Sequence, residues 1–397
     1  MTLISGKTAS NNTCPSPPSL TEKAQQNIFG DVSFNQFAVL VGGAATALGC
    51  LVSLFLMTMH ATHISKPREQ YKIMKICLVI PWYSITSFLS ICFPNVFIGL
   101  SPWFNYFEGI ALATLFLLMC EYIAPSQTER ELFFSALEIQ QKKGPTLTGK
   151  ESLEWYRAKW IAVFQLPVVC LIVAVLTDVT QAAGVYCEFS TGSSPLKFAH
   201  FWLSLASNVS TGIAVTSIIK FYMTLKPHIA EHKPLLKIVA FKLVVGITFL
   251  ESLVFWVLQE LHQLNPTPTL TFGDLNVVLP SLIICLQNIL IAIFFIYAYP
   301  YTPYIIPAHS TSVAEAGGYA GAGRPRYQGG FLGWRAWVSV FNPMEVARGV
   351  KFAFTMASQQ RNHYEGSGSD TEYVPLKEPY GERNHGHGGQ SYEGYQG

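Results

Sequence analysis

Two carboxylates, Glu108 and Glu251, stand inside long apolar stretches of this sequence. An ionisable side chain is expensive in the hydrocarbon core of a bilayer, so such residues are functional candidates by default. At a rise of about 1.5 Å per helical residue, Glu108 lies about 9 Å and Glu251 about 10 Å from one end of its stretch. The sequence therefore predicts two carboxylates at similar depth, suited to hydrogen bonding with a polar group.

Amides and a histidine occur in the same kind of apolar surroundings. Asn208, Gln287 and Asn288 lie near the middle of two further stretches. Polar residues at spacings of three and four share one face of a helix; here they are His200, Ser204, Ser207, Asn208 and Thr211. Such a polar face either lines a path for water or substrate or holds neighbouring helices together, because Ser, Thr and Asn often hydrogen-bond across membrane helices. We expect the second role for the hydroxyl groups and leave both open for Asn208.

Several kinds of catalytic site are missing from the sequence. His200 is the only histidine in an apolar stretch, so a zinc site with three histidines is not expected there. His60 and His63 are too few for a catalytic metal. No phosphate-binding GxxxxGK loop and no GxSxG nucleophile motif occurs. We therefore predict neither an enzyme nor a metal or cofactor site.

Composition indicates the class of protein. Half of the 397 residues are apolar and 13% are charged, whereas about 25% are charged in typical soluble proteins. The net charge of +2 does not suggest nucleic-acid binding. Eight cysteines are too sparse for a disulfide scaffold. The sequence therefore predicts a polytopic membrane protein.

The polar candidates lie on predicted transmembrane helices. A helix needs about 20 apolar residues to cross a bilayer. We predict an all-α bundle of seven transmembrane helices at 37–59, 73–93, 102–123, 160–177, 198–222, 238–258 and 275–299. Lys242 stands one turn inside the sixth, where its long side chain can snorkel to the interface. Between spans, Ser126 and Glu129 match a capping box that predicts a short helix ending before Gly144.

Loop charge predicts the orientation. The loops after the first, third and fifth spans carry twelve basic residues, whereas the opposite segments carry only Lys7, Lys23 and Lys197. The positive-inside rule then places the N-terminus outside and the C-terminus in the cytosol. The domains are an outer tail at 1–36, the helix bundle at 37–300 and a cytosolic tail at 301–397.

The two tails carry their own signals. Asn11 begins a glycosylation sequon, and Cys14 and Cys187 form a disulfide or remain free thiols. The cytosolic tail is mostly disordered by composition, but an amphipathic segment near 331–358 predicts two short helices. These lie on the inner membrane face or pack under the bundle, two alternatives of equal weight. Tyr373 and Leu376 match a sorting motif of the Tyr-x-x-bulky form.

Four stretches of the sequence resemble a known family; they are 75–87, 107–109, 220–251 and 283–301. The family they resemble is the organic solute transporter alpha family, which includes the transmembrane protein 184 group. The motifs follow one another in the family's order over about residues 36–300. The resemblance implies transport of amphipathic organic solutes such as sterol conjugates. For the animal transporter it also implies a single-span partner subunit.

The sequence departs from the family pattern at two places. Gln287 stands where the family often has Glu, and Glu251 stands near a position where the family has Gln. These departures put a carried-over ion-coupling or substrate role in doubt. A G-protein-coupled receptor is the other familiar protein with seven spans, but Cys120-Glu121-Tyr122 is not that class's acid-Arg-aromatic triplet.

Two functional interpretations remain. The first is a facilitative carrier in which the pathway candidates are Glu108, Asn208, Glu251, Gln287, Asn288, Lys242 and His200. The second is a receptor-like or scaffolding protein that acts through its cytosolic tail. Membrane lipids, an amphipathic solute, and a single-span subunit or a second copy are the expected partners, and no nucleic acid is. Both the plasma membrane and a vacuolar or endosomal membrane fit.

Overall fold

The computed structural model describes residues 14, 19–140, 144–188, 195–261, 264–306 and 327–365. Within these ranges strand-like pairing is confined to two isolated bridges, Phe29 with Val32 and Ile139 with Leu147. In the same ranges, seven helices are long and apolar enough to cross a membrane. They match the predicted spans in number and order, so the prediction of an all-helical, seven-span fold is confirmed. Asn11, Tyr373 and Leu376 lie outside the described residues.

Eleven α-helices occur in the described ranges. In chain order they are α1 (Phe34–Thr62), α2 (Pro67–Cys77), α3 (Val79–Cys92), α4 (Phe97–Ile123), α5 (Gln127–Ala136), α6 (Lys150–Ala182), α7 (Ala199–Ile229), α8 (Pro234–Glu260), α9 (Leu279–Ala298), α10 (Trp334–Val340) and α11 (Met344–Glu365). Helices α2 and α3 together form the second span, and a π-helical turn, Asp274–Val278, leads into α9.

The break in the second span has a local cause. Pro81 has no N–H, so the carbonyl of Cys77, four residues earlier, loses its helical donor. Ser53 of α1 replaces that donor, with its hydroxyl 3.1 Å from the Cys77 carbonyl oxygen. The proline therefore creates an acceptor that ties α1 to the second span.

Packing divides the bundle into two groups of helices. Helix α6 lies between α4 and α7, and α1, α3 and α9 pack on one another. Helix α8 packs mainly on α9 and has little contact with α7. Aromatic rings fill the centre of the first group, where Phe116 lies 4.7 Å from Phe221 and 5.5 Å from Trp160 between ring centroids.

The two ends of the bundle are built differently. At one end, called the disulfide face here, Cys14 is bonded to Cys187 and its N–H donates to the Gly184 carbonyl at 3.3 Å. At the other end, called the tail face, α1 ends at Thr62, α4 ends at Ile123 and residues 327–358 pack on the bundle. The disulfide ties the N-terminal segment to the connection between α6 and α7.

The tail segment, residues 327–358, is anchored by polar contacts at the tail face. Lys75 donates to the Asn342 carbonyl at 2.9 Å, and the Trp160 indole N–H donates to the Gly349 carbonyl at 2.9 Å. A Cβ at Gly349 would clash with the Phe164 ring, so only glycine allows this approach. One face of the two helices thus packs under the bundle.

Candidate functional site

Glu108 is enclosed between α3 and α4. The residue is 6% exposed, and its carboxylate accepts a hydrogen bond of 2.7 Å from the Tyr83 hydroxyl. The Tyr83 ring stacks on Phe104, with 5.4 Å between centroids. Gly109, the next residue, lets α4 approach α6, since a Cβ there would lie 3.4 Å from the Pro167 Cα. The site therefore presents one oriented carboxyl group inside a closely packed region.

Glu251 lies at the contact between α8 and α9. The Gln287 amide donates to its Oε2 at 3.3 Å, whereas Oε1 is buried with no hydrogen-bond partner among the described residues. The residue as a whole is partly exposed. An acid and an amide that the sequence places on different helices thus meet, and the second carboxyl oxygen is enclosed at this contact.

Asn288 belongs to a different contact from its neighbour Gln287. It is 1% exposed and its amide donates to the Ser84 hydroxyl at 3.1 Å. The Ser84 carbonyl in turn accepts from the Thr46 hydroxyl at 3.2 Å. These bonds join α9, α3 and α1, which is the arrangement of polar residues that hold membrane helices together.

The polar face of α7 is divided between the inside and the outside of the bundle. Ser207 and Ser210 are buried against α6, but Asn208 is exposed. His200 lies near the disulfide face, where its ring packs edge-on against Tyr186 at 5.2 Å. Lys242 on α8 is also exposed. The structure therefore does not bring Asn208, His200 and Lys242 together with the two carboxylates.

A pair that the sequence analysis overlooked connects α6 and α7. The Ser210 hydroxyl donates to Gln165 Oε1 at 2.7 Å, and Gln165 Nε2 donates to the Ser210 carbonyl at 3.0 Å. One turn away, Cys170 Sγ lies 3.9 Å from Ser207 Oγ. A polar Gln165 within the span at 160–177 was the signal that could have identified this pair.

An open groove of about 420 Å³ lies directly over that pair. Val169 of α6 and Trp202, Leu205, Val209 and Ile213 of α7 form its apolar walls, and Gln165 and Ser210 form its polar floor. Ligand pockets typically measure roughly 300–1,000 Å³. The groove opens on the outside of the bundle, and all of its lining residues belong to α6 and α7.

The tail face is closed by a second polar cluster. Lys237 is buried and donates to the Tyr122 hydroxyl at 2.6 Å, and the Tyr299 hydroxyl donates to the Lys237 carbonyl at 3.0 Å. The Tyr304 hydroxyl donates to Glu69 at 3.0 Å. Lys237 is one of the twelve basic residues in the loops on which the predicted orientation rests. Its burial at the ends of α4, α8 and α9 shows that it belongs to the packing of this face.

A third carboxylate, Glu188, lies outside the spans beside the disulfide. Burial raises its pKa from the ordinary 4.5 to about 7. Its Oε2 has no hydrogen-bond partner among the described residues. Burial and the Glu188 carboxylate both raise the pKa of the neighbouring Tyr186. No pattern in the sequence selects Glu188, because burial at a loop position depends on the tertiary fold.

The described ranges contain no cluster of side chains suited to binding a metal ion. No group of three or more His, Cys, Asp or Glu side chains there could hold a metal ion. The polar groups instead form separate clusters: the Glu108–Tyr83 pair, the Glu251–Gln287 pair and the Gln165–Ser210 pair. Such clusters can bind and orient a polar group by hydrogen bonding.

Comparison with known proteins identifies a matching family. The model of the family described as organic solute transporter Ostalpha matches residues 38–304. A transmembrane protein 184 homolog of Dictyostelium discoideum is 24% identical over 274 residues, which is 66% of this chain and 52% of that protein. Protein LAZ1 of Arabidopsis thaliana is 24% identical over 316 residues, covering 73% of this chain and 63% of that protein.

A further relative, Protein LAZ1 homolog 1 of Arabidopsis thaliana, is 22% identical over 289 residues, 67% of this chain and 58% of that protein. The chain thus spans between half and two thirds of the length of these curated relatives. No solved structure matches the chain.

Proposed function

The chain belongs to the organic solute transporter alpha family, an integral membrane protein family of transporter type rather than an enzyme family, and from this premise we propose that it is a facilitative carrier for amphipathic organic solutes. The observation that carries the proposal is the groove between α6 and α7, with apolar walls over the Gln165–Ser210 pair. A sterol-like or conjugated solute has the matching division into an apolar body and a polar group.

The position of the groove suggests a lateral route of entry. An amphipathic solute concentrates in the bilayer because water expels its apolar surface. A groove on the outside of the bundle is reached from the bilayer without crossing the aqueous loops. In this proposal the Gln165–Ser210 pair receives the polar group of the solute first. Ser207 and Cys170 lie next to it in the α6–α7 contact, toward the enclosed Glu108 site.

The remaining pathway candidates have different proposed roles. Glu251 is partly exposed at the α8–α9 contact and accepts a hydrogen bond from a solute donor there. Asn208 precedes the groove residue Val209 in the chain and contacts solute on the outward side of α7. Asn288 acts through packing, because its amide is committed to Ser84. Lys242 and His200 act at the two ends of the bundle.

Orientation and partners complete the proposal. The disulfide face lies outside the cell or in a lumen, and the tail face lies in the cytosol, as the loop charges predict. Asn11 is then available for glycosylation. A single-span subunit of the kind that the family uses, or a second copy of this chain, is the proposed protein partner. The host membrane is the plasma membrane or a vacuolar or endosomal membrane.

A pair of matched valines tests the groove. Val209 in the groove and Val254 on α8 are similarly exposed, at 53% and 54%. Uptake of a labelled sterol-conjugate panel into proteoliposomes is measured for wild type, Val209→Trp and Val254→Trp. We expect saturable flux that Val209→Trp abolishes and Val254→Trp retains, because only the first indole fills the groove. Equal flux in both variants would exclude the groove as the route.

Pathway residues are tested in the same assay. We expect Glu251→Ala and Asn208→Ala to reduce flux while the unfolding temperature shows that the protein remains folded. Absence of flux for every solute in the wild type, with and without a co-expressed single-span subunit, would contradict the carrier proposal.

A truncation distinguishes the carrier from the scaffold, provided that the cut spares the tail segment. Ending the chain near residue 308 would remove Glu345, which lies 2.8 Å from Lys72, and the Gly349 carbonyl that caps Trp160. Ending it after Glu365 leaves these contacts intact and removes Tyr373 and Leu376. A carrier keeps its flux after this second truncation, whereas a scaffold that acts through the distal tail loses its function.

A further inference from the structure

The outward surface of the tail segment is unusually apolar. Large apolar side chains that are each more than half exposed occur at Phe331, Leu332, Trp334, Val338 and Phe341. Contiguous exposed apolar surface of this kind marks an interaction site more often than a solvated surface. The inward residues of the same helix, Ala336 and Val340, are buried.

This surface is held in place by the end of α1. The Gln328 N–H donates to the Ile64 carbonyl at 3.0 Å, and the Tyr327 hydroxyl donates to the Ala61 carbonyl at 3.3 Å. Gly333 has a φ of +73° and lies so close to the Ala61 carbonyl that a Cβ would clash. The apolar side chains are therefore displayed on an anchored backbone.

The charges of the tail segment are also sorted by side. Glu345 is its only acidic residue, and it pairs inward with Lys72 at 2.8 Å and Lys75 at 3.9 Å. Arg335 and Lys351 are exposed. The acidic group is thus neutralised against the bundle, and the outward surface has a positive charge.

We propose that this surface docks on an anionic lipid leaflet at the tail face. Apolar side chains flanked by basic residues fit an interface of acyl chains under anionic headgroups. The surface is also anchored at the end of α1, whose outer side exposes Leu51, Leu54 and Phe55, as expected of a lipid-facing helix. A second copy of the same surface is disfavoured because Arg335 and Lys351 would face like charges.

The two tryptophans of α10 provide a matched test. Trp334 is 55% exposed, whereas Trp337, about one turn later, is partly buried against the core. The full chain is reconstituted in nanodiscs of phosphatidylcholine and phosphatidylserine with brominated acyl chains, which quench tryptophan fluorescence on contact. Wild type, Trp334→Phe and Trp337→Phe are compared, with iodide as the aqueous quencher.

The proposal requires that lipid quenching decrease in Trp334→Phe and not in Trp337→Phe. The lipid-quenched fraction of the emission should fall in Trp334→Phe and stay near the wild-type value in Trp337→Phe. Removal of phosphatidylserine should reduce the Trp334 component, and Arg335→Gln with Lys351→Gln should remove that lipid dependence. Quenching of the Trp334 component by iodide rather than by lipid would overturn the proposal. Lipid quenching of Trp334 that is the same with and without phosphatidylserine would overturn the proposed preference for anionic lipid. This assay does not depend on transport.

Discussion

Glu108 and Glu251 look alike in the sequence and differ in the structure. Each is a carboxylate at similar depth in an apolar helix. Glu108 is enclosed and bonded to a tyrosine hydroxyl at 2.7 Å, whereas Glu251 is partly exposed, bonded to an amide at 3.3 Å, and has one oxygen without a partner among the described residues. The comparison teaches that depth along a helix does not indicate enclosure. Enclosure depends on how many neighbouring helices surround the residue.

The neighbours explain the difference. Glu108 lies on α4, which packs against α3, α6 and α7, and Gly109 permits the close approach of α6. Glu251 lies on α8, which packs mainly on α9. We therefore propose a packing role chiefly for Glu108 and a solute-contacting role chiefly for Glu251. Two substitutions test the difference in enclosure, starting with the larger expected effect, and a third extends the comparison to Glu188.

Tyr83→Phe should lower the free energy of unfolding by about 1–3 kcal/mol, because it leaves a buried carboxyl group without its donor. Unfolding of the purified protein in detergent measures the change. Tyr106→Phe is the matched control, since Tyr106 stands two residues before Glu108 and so lies on the opposite side of α4. Equal effects of the two variants would contradict the enclosed Glu108 site.

Gln287→Leu should lower the free energy of unfolding by only about 0.5–1 kcal/mol, because a single hydrogen bond between membrane helices contributes about that much and this one is long, at 3.3 Å. The same unfolding assay applies. The adjacent Asn288→Leu is expected to cost more, since Asn288 is buried and bonded to Ser84. The comparison fails if Gln287→Leu destabilises the protein as much as Tyr83→Phe does.

Glu188→Gln extends the comparison to a carboxylate outside the spans, where partial exposure and solvent screening make the expected effect the smallest. Because the pKa of Glu188 is about 7 in the folded protein and 4.5 ordinarily, its protonated form stabilises the fold below pH 4.5. That stabilisation is lost as the pH rises toward and through 7. The variant should therefore unfold at a higher temperature than wild type at pH 8 and at the same temperature near pH 4.5. The prediction would be contradicted if the difference in unfolding temperature between Glu188→Gln and wild type did not vary with pH. It would also be contradicted if the exposed control Glu151→Gln showed the same dependence on pH.

Local signals predicted local structure well. Ser126 and Glu129 match a capping box, and both of its hydrogen bonds are present at the start of α5. That helix ends at Ala136, earlier than Gly144, because the chain turns extended and Ile139 pairs with Leu147. The span at 160–177 underestimates α6, which begins at Lys150. Its first turns are polar and extend beyond the apolar stretch.

Pairwise contacts could not be predicted in the same way. The disulfide between Cys14 and Cys187 was one of two alternatives, and its partners are 173 residues apart. Gln165 was not selected, although its pair with Ser210 forms the floor of the groove. Nor does any spacing indicate that Lys237 reaches Tyr122. Each contact joins segments whose proximity arises only when the helices pack.

The sequence by itself determined that the chain crosses a membrane with seven helices, because each crossing needs about 20 apolar residues with their backbone hydrogen bonds satisfied within the helix. Only the tertiary structure decided that Glu108 meets Tyr83, that Glu251 meets Gln287 and that Asn208 stays outside. Several of these helices are apolar on most sides, so periodicity does not reveal which face turns inward. Packing between distant segments sets that rotation and, with it, the neighbours of every polar side chain.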